Sequence, residues 1–224
     1  MPDDLIAVDG VAANAASRIF ERLPRAPRHD QILKQARIVF PNPTYEHVLA
    51  RVVLVNQLYG TNLYAVHEMA AHISDLTSQP YRADTDLVER IARPPALDRR
   101  YCSFASKYAH FFLDPEQFHI LDDAALTVLA RHARVSMKAA GELSYGDFNR
   151  TAENLRIKSG LRPDRSLDRY LWIAGMHLRR QSPRRAKMFN RELGTAFDDI
   201  TNGPDLRLVT QAVPPPPARR RSPA

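Results

Sequence analysis

One cysteine, Cys102, is all the chain contains, so no disulfide can form within it and a zinc site built on thiolates is excluded unless histidines complete it. Glycine is nearly as scarce, at eight in 224 residues. No glycine-rich loop can cradle a phosphate, and no glycine-flanked serine suggests a nucleophile elbow. Long apolar runs are also missing, since nothing approaches the ~20 residues a membrane helix needs. The first ten residues, MPDDLIAVDG, carry acid where a secretory signal carries base, and Asp9 interrupts the short apolar run. Together these absences lead us to expect a cytoplasmic protein in a reducing compartment, with no membrane partner.

Alternation at period two is absent over more than a few residues, and what is present is helical periodicity. The expected fold is all-α and multi-helical, in one domain or two closely packed lobes. Helices are expected near 4–22, 29–39, 44–58, 62–77, 84–93, 102–113, 122–135, 145–158, 165–181 and 187–197. Prolines separate them: Pro24 and Pro27 should end the first, Pro41 and Pro43 the second, Pro80 the fourth, and Pro94 with Pro95 the fifth. Residues 213–224, VPPPPARRRSPA, hold no large apolar residue after Val213 and should form a disordered tail after a helical domain over 1–212.

Thirty-two Lys and Arg against 25 Asp and Glu give a net charge of +7, which favours a polyanionic partner or an anionic surface. Arg179, Arg180, Arg184, Arg185 and Lys187 crowd the end of the helix SLDRYLWIAGMHLRR and the turn after it. Cations suit a helix C-terminus, yet five exceed what capping needs, so phosphate contact is the functional reading. In the same helix Leu167, Leu171, Ala174 and Leu178 share a stripe while Trp172 and Met176 lie opposite. Burial on two faces is favoured over presentation of the tryptophan to a base.

HEMAAH at 67–72 imitates a zinc-peptidase motif, but its histidines are five apart and therefore about 140° apart around a helix, so no metal site is expected. His110, His119 and His132 are scattered and read as core or surface histidines. The informative stretch is YCSFASKYAHFFLDPEQFHILDDAA, residues 101–125, where Phe104, Tyr108, Phe111 and Phe112 make an aromatic stripe with Lys107 at its margin. Such a lysine either snorkels to water or, pressed among apolar groups, becomes a usable amine nucleophile. Asp122 and Asp123 precede the run AALTVLA, so one of them should cap the next helix, and a carboxylate there can also stabilise a developing cation or position a water.

FASKYAHFFLDPEQFHILD resembles a stretch of helix-hairpin-helix DNA glycosylases, particularly their 8-oxoguanine glycosylase branch and the prokaryotic members proposed to attack modified bases in phage DNA. Ser106 and Lys107 match a Ser-Lys pair, His110 and Phe111 a His-Phe pair, then Pro115, Phe118 and Asp122 follow in order. LVNQLYGTNLYAV upstream and the DRYLW of the penultimate helix extend the likeness over most of residues 45–175. The resemblance implies a two-lobed helical fold and a monomer that binds duplex DNA with a damaged or modified base and excises that base without a cofactor. Lys107 would attack the sugar C1′, Asp122 would assist, and a lyase step could follow. Tyr59 and Asn62 would line the base pocket; alternatively Gly60 ends one helix and Asn62 caps the next. Arg179, Arg180, Arg184 and Arg185 would hold the backbone. Three departures stand out. ALDRRYCSFAS has no glycine where the family hairpin has a phosphate-gripping turn, leaving Arg99 and Arg100 as substitutes; His119 stands in place of a proline, and Leu121 in place of an aromatic. The competing expectations are a non-catalytic helical DNA-binding protein and a helical protein whose basic surface meets an acidic partner.

Overall fold

The computed structural model describes residues 5–181 and 203–217, and among these there are eleven helices and no strand, an all-α fold. In chain order they are α1 (Gly10–Arg22), α2 (Ala26–Val39), α3 (Tyr45–Tyr59), α4 (Val66–Thr77), α5 (Thr85–Ile91), α6 (Cys102–Phe112), α7 (Asp123–His132), α8 (Met137–Gly141), α9 (Tyr145–Lys158), α10 (Ser166–Arg180) and α11 (Pro204–Gln211). None of them is long and apolar enough to cross a membrane.

Local chemistry sets the ends. Gly60 closes α3 in the left-handed region, φ 56°, with its N–H on the Asn56 carbonyl. The Asp84 carboxylate caps α5 by accepting from the Leu87 N–H, and the Ser136 hydroxyl caps α8 by accepting from Ala139. Pro27 does not end α1 as expected; it sits in the first turn of α2, where its missing N–H has no partner to lose. Asn62 does not cap α4, which begins at Val66 after Ala65. The short helices α8 and α11 were not expected, and the helix expected at 187–197 lies outside the described residues. Of the expected tail, residues 213–217 are described: Pro214 is buried and its carbonyl accepts from Arg131.

The chain divides into two compact units. The first comprises Met1–Arg22, Asp123–Leu143 and Arg150–Ala224. In it α10 packs against α7 and α1, and α11 against α1 and α10, around Ile19, Val128, Leu129, Leu171, Ile173 and Val209. Leu167, Tyr170, Leu171, Ile173 and Ala174 bury α10 on two faces, while Trp172 is half-buried with its ring edge-on to Phe20 at 6.0 Å. At Gly175 the α7 backbone comes so close that a Cβ would lie 2.3 Å from the Ala124 carbonyl oxygen.

His132, fully buried at the end of α7, donates through Nδ1 to the Ile6 carbonyl at 2.7 Å and accepts through Nε2 from the Tyr170 hydroxyl at 3.0 Å. Burial pulls its pKa down to about 4, against a partial opposing effect of the Ile6 carbonyl. The folded protein therefore excludes a proton that the unfolded chain binds below its ordinary value of 6.5. Stability should be intact above pH 6.5 and fall as the pH drops towards 4, by up to about 3 kcal/mol. Melting curves across that range should be steeper in pH for the native chain than for His132→Gln, whose baseline is lower but which has no proton to gain. Parallel pH dependences would show that His132 is not the linked group.

The second unit comprises Leu23–Asp122 and Ser144–Asn149. There α3 packs on α2, α4 and α6, and α5 on α4 and α6, around Leu33, Val52, Met69, Ile73, Phe104, Tyr108, Phe118 and Phe148. Buried Arg51 does not break this core, because its guanidinium donates to the Phe40 and Asn42 carbonyls and lies 5.4 Å from the Phe112 ring.

Candidate active site

Nine of the eleven residues of α6 are buried, so this helix is enclosed on every side and its polar members must find partners inside the protein. Those members are Ser106, Lys107 and His110. All three reach one irregular segment, Gln117–Asp122. The Ser106 hydroxyl accepts from the Leu121 N–H at 3.0 Å and lies 3.2 Å from the Leu121 carbonyl. His110 donates through Nδ1 to the Phe118 carbonyl at 2.7 Å. Lys107 Nζ lies 3.9 Å from Asp122 Oδ2 and donates to the Ser103 hydroxyl at 2.8 Å.

From the first turn of α9 the same segment is held again. Asn149 Oδ1 accepts from the His119 N–H at 2.8 Å, its Nδ2 donates to the Gln117 carbonyl at 3.0 Å, and the Tyr145 hydroxyl donates to the His119 carbonyl at 3.0 Å. Every side chain in this clamp is buried. Asn149→Leu should leave the buried His119 N–H without its acceptor and cut the Gln117 carbonyl loose, costing about 1–3 kcal/mol. Denaturant unfolding would register it as a lower midpoint at unchanged slope; an unchanged midpoint would remove Asn149 from the clamp.

Lys107 is 4% exposed at its side chain, so it does not snorkel, whereas Asp122 is 19% exposed and keeps an outlet to solvent. A third side chain borders the ammonium: Nζ lies 5.9 Å from the centre of the Tyr59 ring. That ring packs on Phe111 at 5.5 Å and its hydroxyl donates to Asp30 Oδ1 at 2.5 Å. A partly exposed carboxylate and a phenol ring thus border one buried amine. Chemically the set can hold a cation, move a proton between nitrogen and carboxylate, and present a nucleophile in an apolar wall.

The structure thus brings Lys107, Asp122 and Tyr59 together. It does not bring Asn62 with them in any hydrogen bond; that residue is exposed, with φ 55°, on a loop braced instead by Asn56, whose side chain bonds both the N–H and the carbonyl of Leu63. Asp123 is exposed, as the first residue of α7, so Asp122 is the aspartate that faces the lysine. Arg179 and Arg180 end α10 in the other unit, and Arg184, Arg185 and Lys187 lie outside the described residues. Arg100 pairs with Glu89 at 2.5 Å and Arg99 stacks on Tyr101 at 4.5 Å. Burial pushes the Cys102 thiol up, which makes it a poor nucleophile despite its place at the head of α6. Asp30 and Asn149 were not expected from the sequence.

A family model described as HI_0787_N, N-terminal domain, matches residues 16–117, a span that includes Tyr59 and Lys107 and stops short of Asp122. The chain is also similar to an uncharacterized protein of Haemophilus influenzae, 28% identical over 138 residues that cover 59% of this chain and 68% of that one. No solved structure matches.

Proposed function

We propose that this protein is a DNA glycosylase that excises a damaged or modified base from duplex DNA as a monomer, with Lys107 as nucleophile and Asp122 as its proton acceptor. The observation that carries this reading is the buried Lys107 ammonium 3.9 Å from the Asp122 carboxylate, the two residues that the helix-hairpin-helix resemblance singles out. A lysine is an expensive residue to bury, and neither core packing nor snorkelling explains this one. The family resemblance rests on residues that this geometry gathers, and an aromatic ring at the amine suits a base that must leave the stack to be reached.

In the reaction Asp122 takes a proton from the Lys107 ammonium and frees its lone pair. The amine then attacks C1′ of the extruded nucleotide. The N-glycosidic bond breaks, its electron pair leaves with the base, and the base takes the proton released by the newly bonded nitrogen. Opening of the sugar ring moves the Asp122 proton to O4′ and leaves a protonated imine between Lys107 and C1′, from which strand scission is chemically accessible. Phage DNA with modified bases and damaged cellular DNA are both substrates of this class.

Borohydride tests the reading, because hydride delivered to C1′ of the imine makes a permanent protein–DNA bond. The native chain, incubated with duplexes and phage DNAs carrying a panel of damaged or modified bases, should give a shifted band on a denaturing gel with at least one of them. Abasic sites without the band would shift attack on C1′ to a water activated by Asp122. Salt-dependent binding with neither band nor base release would replace the enzyme with a DNA-binding protein.

A further inference from the structure

The buried stripe of α2 is Asp30, Leu33 and Ala36, so a carboxylate occupies a position where a leucine would pack. Asp30 is 4% exposed. A buried carboxylate is costly unless it is paired or hydrogen-bonded. Asp30 accepts a hydrogen bond from the Tyr59 hydroxyl at 2.5 Å. That bond ties α2 to the last residue of α3, which is Tyr59.

We propose that Asp30 is a positioning residue for the Lys107 amine, acting through Tyr59. With its hydrogen committed to Asp30, the phenol cannot swing about its Cα–Cβ bond, and the ring is fixed between Phe111, at 5.5 Å, and the Lys107 ammonium, at 5.9 Å. The ring face attracts the cation and closes one side of the space in which the amine can lie, and Asp122 bounds another. Asp30 and Tyr59 therefore keep the nitrogen aimed before substrate arrives, as preorganised catalysis requires. The inference rests on the glycosylase reading for its consequence in catalysis, and on geometry alone for its consequence at the amine.

Two measurements separate these. Reductive methylation of the free protein, with Lys107 labelling followed by mass spectrometry, reports the amine without any DNA. Asp30→Leu and Tyr59→Phe should each change the Lys107 labelling rate at least about threefold, and Asp30→Asn, which keeps an oxygen for the phenol, should stay close to the native rate. Unchanged labelling in a folded Asp30→Leu protein overturns the proposal; should that variant not fold, unchanged labelling in Tyr59→Phe, which keeps the ring and removes only the hydroxyl, overturns it equally. In single-turnover borohydride trapping on saturating duplex, each single variant should be about tenfold slower with DNA affinity within twofold. The double variant should be no slower than the worse single one, since both act through the same hydroxyl. Independent, multiplying losses overturn the proposal as well. A native protein that labels as expected yet traps on no DNA sinks the glycosylase reading and leaves Asp30 in its positioning place.

Discussion

Lys107→Met should abolish the borohydride adduct, lowering its rate by about 10³-fold or more, while leaving the fold as stable as before or more so. The two halves of that result belong together. Methionine fills the volume of the lysine stem, and its thioether needs no solvation, so the cost of burying an ammonium disappears. What is left behind is tolerable: Asp122 is partly exposed and reaches water, and the Ser103 hydroxyl loses one partner. A gain of about 1 kcal/mol would raise the melting temperature by roughly 2–4 °C. Loss of activity with a gain in stability marks a residue kept for chemistry. A sharp fall in melting temperature, with trapping proportional to the folded fraction, would make Lys107 structural and take the nucleophile away from the mechanism.

Gly175→Ala carries the largest expected effect on stability, about 3 kcal/mol or more and roughly 10 °C in melting temperature. In an exposed helix the same change would help by up to about 1 kcal/mol, because glycine is a poor helix former. Here the added methyl would meet the Ala124 carbonyl oxygen at 2.3 Å, its carbon at 2.5 Å and the Ala124 Cα at 2.7 Å. Backbone atoms cannot rotate aside as a side chain can, so α7 and α10 must separate and forfeit the packing around Leu129, Leu171 and Ala174. Gly141→Ala is the matched comparison, since its Cβ would meet nothing within 4 Å and should leave the melting temperature unchanged or slightly raised. Equal, small effects at both positions would mean that α7 and α10 do not approach as described.

Much of this was legible in the sequence, and the reasons are uneven. α3, α6, α9 and α10 were placed to within about two residues because each shows a long apolar period bounded by proline or glycine. α8 and α11, at five and eight residues, are too short for a period to declare itself. Pro27 misled for a physical reason: a proline that cannot sit inside a helix both ends one and begins the next. Lys107 and Asp122 were visible together because a lysine in an aromatic stripe is anomalous and one motif contains them both. Asp30 and Asn149 were invisible. On α2 an aspartate among charged neighbours reads as surface, and only the packing of α2 against α3 and α6 turns it inward. Asn62, expected either in a base pocket or as the cap of the next helix, instead turns the loop in the αL conformation, and the amide that organises that loop is Asn56, six residues earlier.

The clamp on Gln117–Asp122 also bears on how this segment can change over evolutionary time. A proline at position 119 would bring no N–H and set its own backbone angle; His119 brings an N–H that must be answered in a dry interior, and Asn149 Oδ1 answers it. Positions 119 and 149 should therefore drift as a couple among the descendants of this chain's ancestor: histidine, or any other residue with an amide hydrogen, with asparagine, and proline with freedom at 149. Lineages that keep the asparagine can vary the side chain at 119 without losing the backbone path that ends at Asp122.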